Sequence, residues 1–146
     1  MSGYHHILLA VDFTEEADQV VERALDLARR CESRVTLIHV VEFLHMDLAN
    51  ELVLPQDIAL EEQMLETARG KLKTLAERFG LKDARQQVEL GATKHEILRV
   101  AEELGVDCII LGSHGRHGIQ RVLGSTANAV LHGAPCDVLA VRIQEG

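Results

Sequence analysis

An α/β fold built on an open five-stranded parallel sheet, with helices on both faces, is what this sequence predicts, and three observations carry the prediction. Four short apolar runs rich in β-branched residues and one more polar strand-like run alternate with longer stretches whose apolar positions recur at helical spacing. Of 146 residues, 47% are hydrophobic but only 3% aromatic, with no Trp, so the core palette is Leu, Val, Ile and Ala. That palette suits helices packed on a sheet buried on both faces. Finally, Val106 to Ser125, VDCIILGSHGRHGIQRVLGS, passes from strand through a glycine-rich loop to a helix start.

The elements follow in order. His6 to Val11, HILLAV, is a first buried strand, with His5 and His6 at its exposed start. Thr14 is placed to cap a helix whose first turn carries Glu15 and Glu16 and whose stripe runs from Ala17 through Val20, Val21, Ala24, Leu27 and Ala28 to Arg30. Arg34 to Val41 is a second strand. Glu42 to Gln56 reads as an irregular excursion. A long helix from about Asp57 to Phe79 turns Met64, Ala68, Leu72, Leu75, Ala76 and Phe79 inward and stops at Gly80. Arg85 to Leu90 is a third strand, polar enough for an edge. Thr93-Lys94-His95-Glu96 has the pattern of a capping box opening a helix through Ile97, Leu98, Ala101 and Leu104 to Gly105. Cys108 to Leu111 is the fourth strand, Ser125 to His132 a last helix, and Asp137 to Ile143 a fifth strand.

Composition sets bounds. The length fits a single domain over residues 1–146 with a real core. A formal net charge of −8 opposes binding to nucleic acid or to an anionic membrane surface. There is no apolar run long enough for membrane insertion, and MSGYHHILLAVD has neither a basic n-region nor a cleavage site, so a cytoplasmic location is expected. Cys31, Cys108 and Cys136 are scattered, without a CxxC, and read as reduced thiols.

In parallel sheets, ligands bind beyond the carboxyl ends of the strands where strand order reverses. If the first and fourth strands are neighbours there, Asp12 and Gly112 face one crevice, with His39 and Val40 at its flank. The glycines let backbone N–H groups approach a phosphate, and the helix opening at Ser125-Thr126 presents unpaired donors with partial positive charge. Two tight turns and a capped helix that bind nothing would use the same residues, and Asp12 serves equally as a cap for the first helix. Arg116 and Arg121 are candidate phosphate partners, although surface arginines without a ligand are commoner. His114-x-x-His117 has too few partners for a metal site. A hydrolytic triad from Ser113, His114 and Asp12 lacks the G-x-S-x-G elbow. There is no G-x4-G-K-[ST] and no lysine in the glycine loop, which argues against a P-loop ATPase or kinase.

Together, HILLAVDFTEEA, LIHVVE, GVDCIILGSHGR and LGSTANAVLHGAPCDVLAVR resemble the universal stress protein A superfamily, in the right order over nearly the whole chain. The resemblance implies a Rossmann-like fold with strand order 3-2-1-4-5, usually dimeric, and in part of the family an ATP site marked by G-x2-G-x9-G-[ST]. This chain has Gly112, Gly115, Gly124 and Ser125, with eight residues where that motif has nine. Carried over by position, the resemblance assigns Asp12 to the adenine or ribose, Val40 to adenine, Leu111 and Gly112 to the ribose, and Gly115 with Gly124 and Ser125 to the phosphates. Arg116 and Thr126 border the same group.

The expected ligand is ATP, with Mg2+ held mainly by phosphate and water. The expected role is a nucleotide-dependent regulatory module of the stress response that meets a protein partner. Alternatives are a slow ATP hydrolase and a dimeric interaction protein with an empty site. The apolar strand Val138–Ile143, charged in its interior only at Arg142, is the expected homodimer edge.

Overall fold

A computed structural model describes residues 3–42, 55–114 and 123–143. Nine elements alternate along the chain: β1 (His6–Ala10), α1 (Ala17–Cys31), β2 (Arg34–Val41), α2 (Pro55–Arg78), β3 (Arg85–Leu90), α3 (Thr93–Leu104), β4 (Cys108–Gly112), α4 (Ser125–Gly133) and β5 (Asp137–Val141). All strand pairs are parallel and the order is β3-β2-β1-β4-β5. The predicted fold class and strand order therefore hold. Most of the excursion after Glu42, together with Gly115, Arg116, His117, Gly118 and Arg121, lies outside the described residues.

The period-two alternation of strand side chains divides the interior into two layers. Ile7, Leu9, Leu37 and Ile110 meet Val20, Val21 and Ala24 of α1 and Leu72, Leu75 and Ala76 of α2. Leu8, Ile38, Ile109 and Leu111 turn the other way, onto Ile97, Val100 and Ala101 of α3 and Ala127 and Val130 of α4. Ile7, Leu8, Leu9, Ile109 and Ile110 are fully buried, and each large aliphatic side chain so placed stabilises the fold by roughly 1.5–3 kcal/mol.

Several sequence expectations change. His6 is buried, because β1 is central and flanked by β2 and β4, and its Nε2 lies 2.7 Å from Thr36 Oγ1. Asp107 accepts from the amides of His5 and His6 at 2.8 and 2.9 Å, tying the start of β1 to the turn before β4. Thr14 does not cap α1, whose cap position is Glu16 with no side-chain cap bond. Phe79 falls just beyond α2, and Phe79 and Met64 are only half-buried. Gly80 does end the helix, with φ +72° and its N–H donating to the Glu77 carbonyl. The predicted fifth strand is shorter: β5 stops at Val141, leaving Arg142 exposed and Ile143 buried beyond the strand. The three cysteines are free thiols, Cys108 buried and the others half-buried.

Candidate functional site

At the carboxyl ends of β1 and β4, where strand order reverses, the structure opens a cleft of about 530 Å³, within the usual range for small-molecule sites. Its first wall is the turn after β1. Val11 N–H still donates to the Ile38 carbonyl at 3.0 Å, and the chain then bends. Asp12 Oδ1 accepts from the Thr14 amide at 3.1 Å and from Thr14 Oγ1 at 2.8 Å, an Asx turn rather than a helix cap. Phe13 adopts a left-handed conformation, φ 62°, unusual for a bulky residue. Its ring stacks on His39, with centroids 4.1 Å apart. His39 Nδ1 lies 2.7 Å from the Val11 carbonyl and so donates to it. Burial lowers the pKa of this imidazole, favouring the neutral form.

The opposite wall comes from β4 and α4. Ser113 N–H donates to the Val141 carbonyl at 2.8 Å, and Gly124 N–H to the Ser113 carbonyl at 2.6 Å. These bonds bring the start of α4 back onto the end of β4. Gly124 is the cap position of α4, in extended backbone, and no side chain among the described residues caps the helix. Neither Ser125 nor Thr126 therefore serves as its cap. The first intrahelical bond runs from Asn128 N–H to the Gly124 carbonyl at 2.8 Å. Ser125, Thr126 and Ala127, whose amides precede that bond, line the cleft, and at a helix start the free N–H groups and the dipole favour an anion.

A third wall was not anticipated. The capping box at Thr93 does not form: the cap position of α3 is Ala92, and Glu96 pairs with Arg99 Nη2 at 2.6 Å. Instead the carboxylate of Glu42, immediately after β2, reaches across to α3. Its Oε1 accepts from the Thr93 amide at 2.9 Å and from Thr93 Oγ1 at 2.7 Å. These two bonds hold the Glu42 carboxyl below its ordinary pKa. Glu42 and Thr93 both line the cleft.

Of the residues singled out from sequence, Asp12, Leu111, Gly112, Gly124, Ser125 and Thr126 converge on this cleft. Val40 does not line it, being buried in the core on the α3 side. Gly115 and Arg116 lie outside the described residues. His114 is 7% exposed and lines the cleft. Ser113 Oγ lies 3.4 Å from its Nδ1, but Asp12 is bonded to Thr14, so the imagined triad is not assembled. Among the described residues, no group of three or more His, Cys, Asp or Glu is arranged to hold a metal ion. Glu42 and Thr93 were findable by the rule that marked Asp12: each follows a strand's carboxyl end. A second groove of about 560 Å³ lies between α1 and α2, lined by Phe13, Lys71 and Arg78 among others; the first turn of α1 borders it, but there Asp18 is already paired with Arg78 at 2.7 Å.

Comparison with known proteins agrees with this architecture. The model of the universal stress protein family matches residues 3–142. Universal stress protein A homolog 2 of Coxiella burnetii is 43% identical over 145 residues, covering 99% of each chain. The solved structure of hypothetical protein MJ0577 superposes with a TM-score of 0.82 at 26% identity, covering 99% of this chain and all of that one. A universal stress protein solved in complex with cAMP superposes with a TM-score of 0.62 at 21% identity, over 96% of this chain and 98% of its own.

Proposed function

The chain belongs to the universal stress protein family, and on that premise we propose that it is a regulatory module whose cleft binds ATP. The observation that carries the reading is the pairing of an uncapped α4 N-terminus with the Asp12 turn across one cleft. Phosphates suit the amides of Ser125, Thr126 and Ala127, and Asp12 suits the hydroxyl or amine donors of an adenine nucleoside. The universal stress protein solved with cAMP, itself an adenine nucleotide, is in keeping with a ligand of this class. Mg2+ would arrive on the phosphate oxygens with its water. We place the module in the cytoplasm as a homodimer through the edge around Val138–Ile143, meeting a protein partner that distinguishes the loaded form.

Binding rather than turnover fits the chemistry. Phosphoryl transfer needs charge neutralisation and a positioned nucleophile. Residues 112–126 contain no lysine, and Asp12 and Glu42 each commit one carboxylate oxygen to Thr14 and Thr93, leaving the other to accept from a ligand donor. Donors that hold the ground state as firmly as the transition state give affinity without rate.

Calorimetry with ATP tests this. Ser125→Asp places a carboxylate at the first position of α4, where it favours the helix dipole and takes the place of the phosphate. The expected result is ATP binding by the native chain, lost in Ser125→Asp without loss of thermal stability. No binding by the native chain at millimolar ATP, or unchanged binding by the variant, would overturn the reading. ATP turnover in the ordinary enzyme range, about 1–1000 per second, would make the protein an enzyme instead.

A further inference from the structure

Three helix N-termini border the cleft, those of α1, α3 and α4, and the chain treats the last two in opposite ways. That of α4 has no side-chain cap among the described residues. That of α3 already carries an anion, the Glu42 carboxylate on the Thr93 amide and hydroxyl at 2.9 and 2.7 Å. Glu42 follows β2, Asp12 follows β1 and Gly112 ends β4, and these three strands lie side by side in the order β2-β1-β4. Crossing the cleft from α4 therefore leads from a row of backbone donors to two carboxylates. The positive potential α3 would have contributed is neutralised within the protein.

We propose that Glu42 is a specificity-determining residue that makes the cleft accept one-ended nucleotides, with the phosphates at α4 and an uncharged, donor-bearing base at β2, and reject nucleotides whose base is negative. The proposal rests on the nucleotide reading above, keeps its direction of binding, and adds to it a rejected class and the residue that rejects it. Glu42 and Asp12 are both exposed in the open cleft, and a like charge seated within a few ångströms of them meets repulsion that grows as the bound base displaces the water between them. The Thr93 bonds hold Glu42 in place for this. A carboxylate free to swing into solvent would repel less.

The test compares two triphosphates of nearly equal shape. The base of xanthosine triphosphate loses a proton near neutrality and is negative at slightly alkaline pH, whereas that of inosine triphosphate stays neutral. Both are measured by competition against a fluorescent ATP analogue, on the native chain and on Glu42→Gln, which retains an acceptor for Thr93. In the native protein the xanthosine compound should bind at least tenfold more weakly than the inosine compound. In Glu42→Gln that ratio should fall below threefold, the remainder belonging to Asp12. Lowering the pH until the xanthine base is neutral should shrink the native ratio in the same way.

Equal binding of the two compounds by the native chain overturns the proposal and leaves the nucleotide reading standing. So does a ratio that Glu42→Gln leaves unchanged while its melting temperature falls, since that is the signature of a residue that only caps α3. If the native chain binds no nucleotide, ATP included, the nucleotide reading falls and takes this proposal with it.

Discussion

Replacing Gly112 by Ala puts one methyl group into the wall shared by β4 and the cleft. A Cβ built there lies 3.0 Å from Ile143 Cδ1, 3.4 Å from the His114 carbonyl oxygen and 3.4 Å from Val20 Cγ2. Carbon atoms at rest sit about 3.5–4.0 Å apart, so the Ile143 methyl must withdraw by about half an ångström. Overpacking of this kind costs about 1–3 kcal/mol, and the low end applies because the closest atom ends a side chain. A loss of about 1 kcal/mol lowers the melting temperature by roughly 2–4 °C in a chain near this length. The cause can be isolated by a double-mutant cycle. Ile143→Val removes the clashing Cδ1 and alone should cost about 0.5–1.5 kcal/mol. In the Gly112→Ala background the same change should cost nothing or restore stability, a coupling of about 1 kcal/mol. Rescue stays incomplete because the His114 carbonyl belongs to the backbone. Thermal and denaturant unfolding of the four proteins read this directly. Additivity within about 0.3–0.5 kcal/mol would refute the steric account of Gly112.

Glu42→Ala should lower stability by about 1 kcal/mol at neutral pH, as loss of a helix cap does. Its carboxyl is more acidic folded than unfolded, so the contribution is complete above its ordinary pKa of 4.5 and disappears as the pH falls through the lower folded value. Melting curves of the two proteins should therefore converge in acid, and a constant gap would count against the Thr93 bonds as the cause. For His6 and His39 burial lowers the pKa from 6.5. The unfolded chain then takes up protons first, and stability should fall as the pH drops below that value. His39→Gln, which can still donate to the Val11 carbonyl, should flatten the fall; an unchanged pH profile would exclude His39 as a contributor. Val138, Leu139 and Ala140 are half-buried along a free sheet edge, and sedimentation at tens of micromolar should show a dimer. A monomer there would exclude pairing through β5.

Sequence made the strands legible because burial on both faces leaves unbroken apolar runs such as Ile7 to Leu9 and Ile109 to Leu111. It made half the site legible because one rule, polar residues after a strand's carboxyl end, finds Asp12 and the Gly112 turn. The losses were tertiary in origin. Thr93 and Glu96 have the spacing of a local capping box, but Glu96 is drawn to Arg99, which also binds Glu89 and Glu103. Thr93 is satisfied by a carboxylate 51 residues away. His6 reads as an exposed strand start until strand order places β1 in the middle of the sheet. Ile143 continues an apolar run that reads as strand, yet it packs against Gly112 instead of extending β5.

Strand order also governs when the site can come into being. Ile7 pairs with Cys108, Leu8 with Ile109 and Leu9 with Ile110, so the two main walls of the cleft belong to opposite ends of the chain. While β1, β2 and β3 are assembled and β4 is not, Asp12 has no partner across the cleft. Closing so long a loop is entropically costly and is repaid only when β4 docks. A ligand in the cleft therefore has affinity for the finished sheet alone, and at about a hundred times its dissociation constant adds about 2.7 kcal/mol to the stability of the whole fold. On the proposed nucleotide reading, nucleotide concentration would thereby set how much of the chain stays folded.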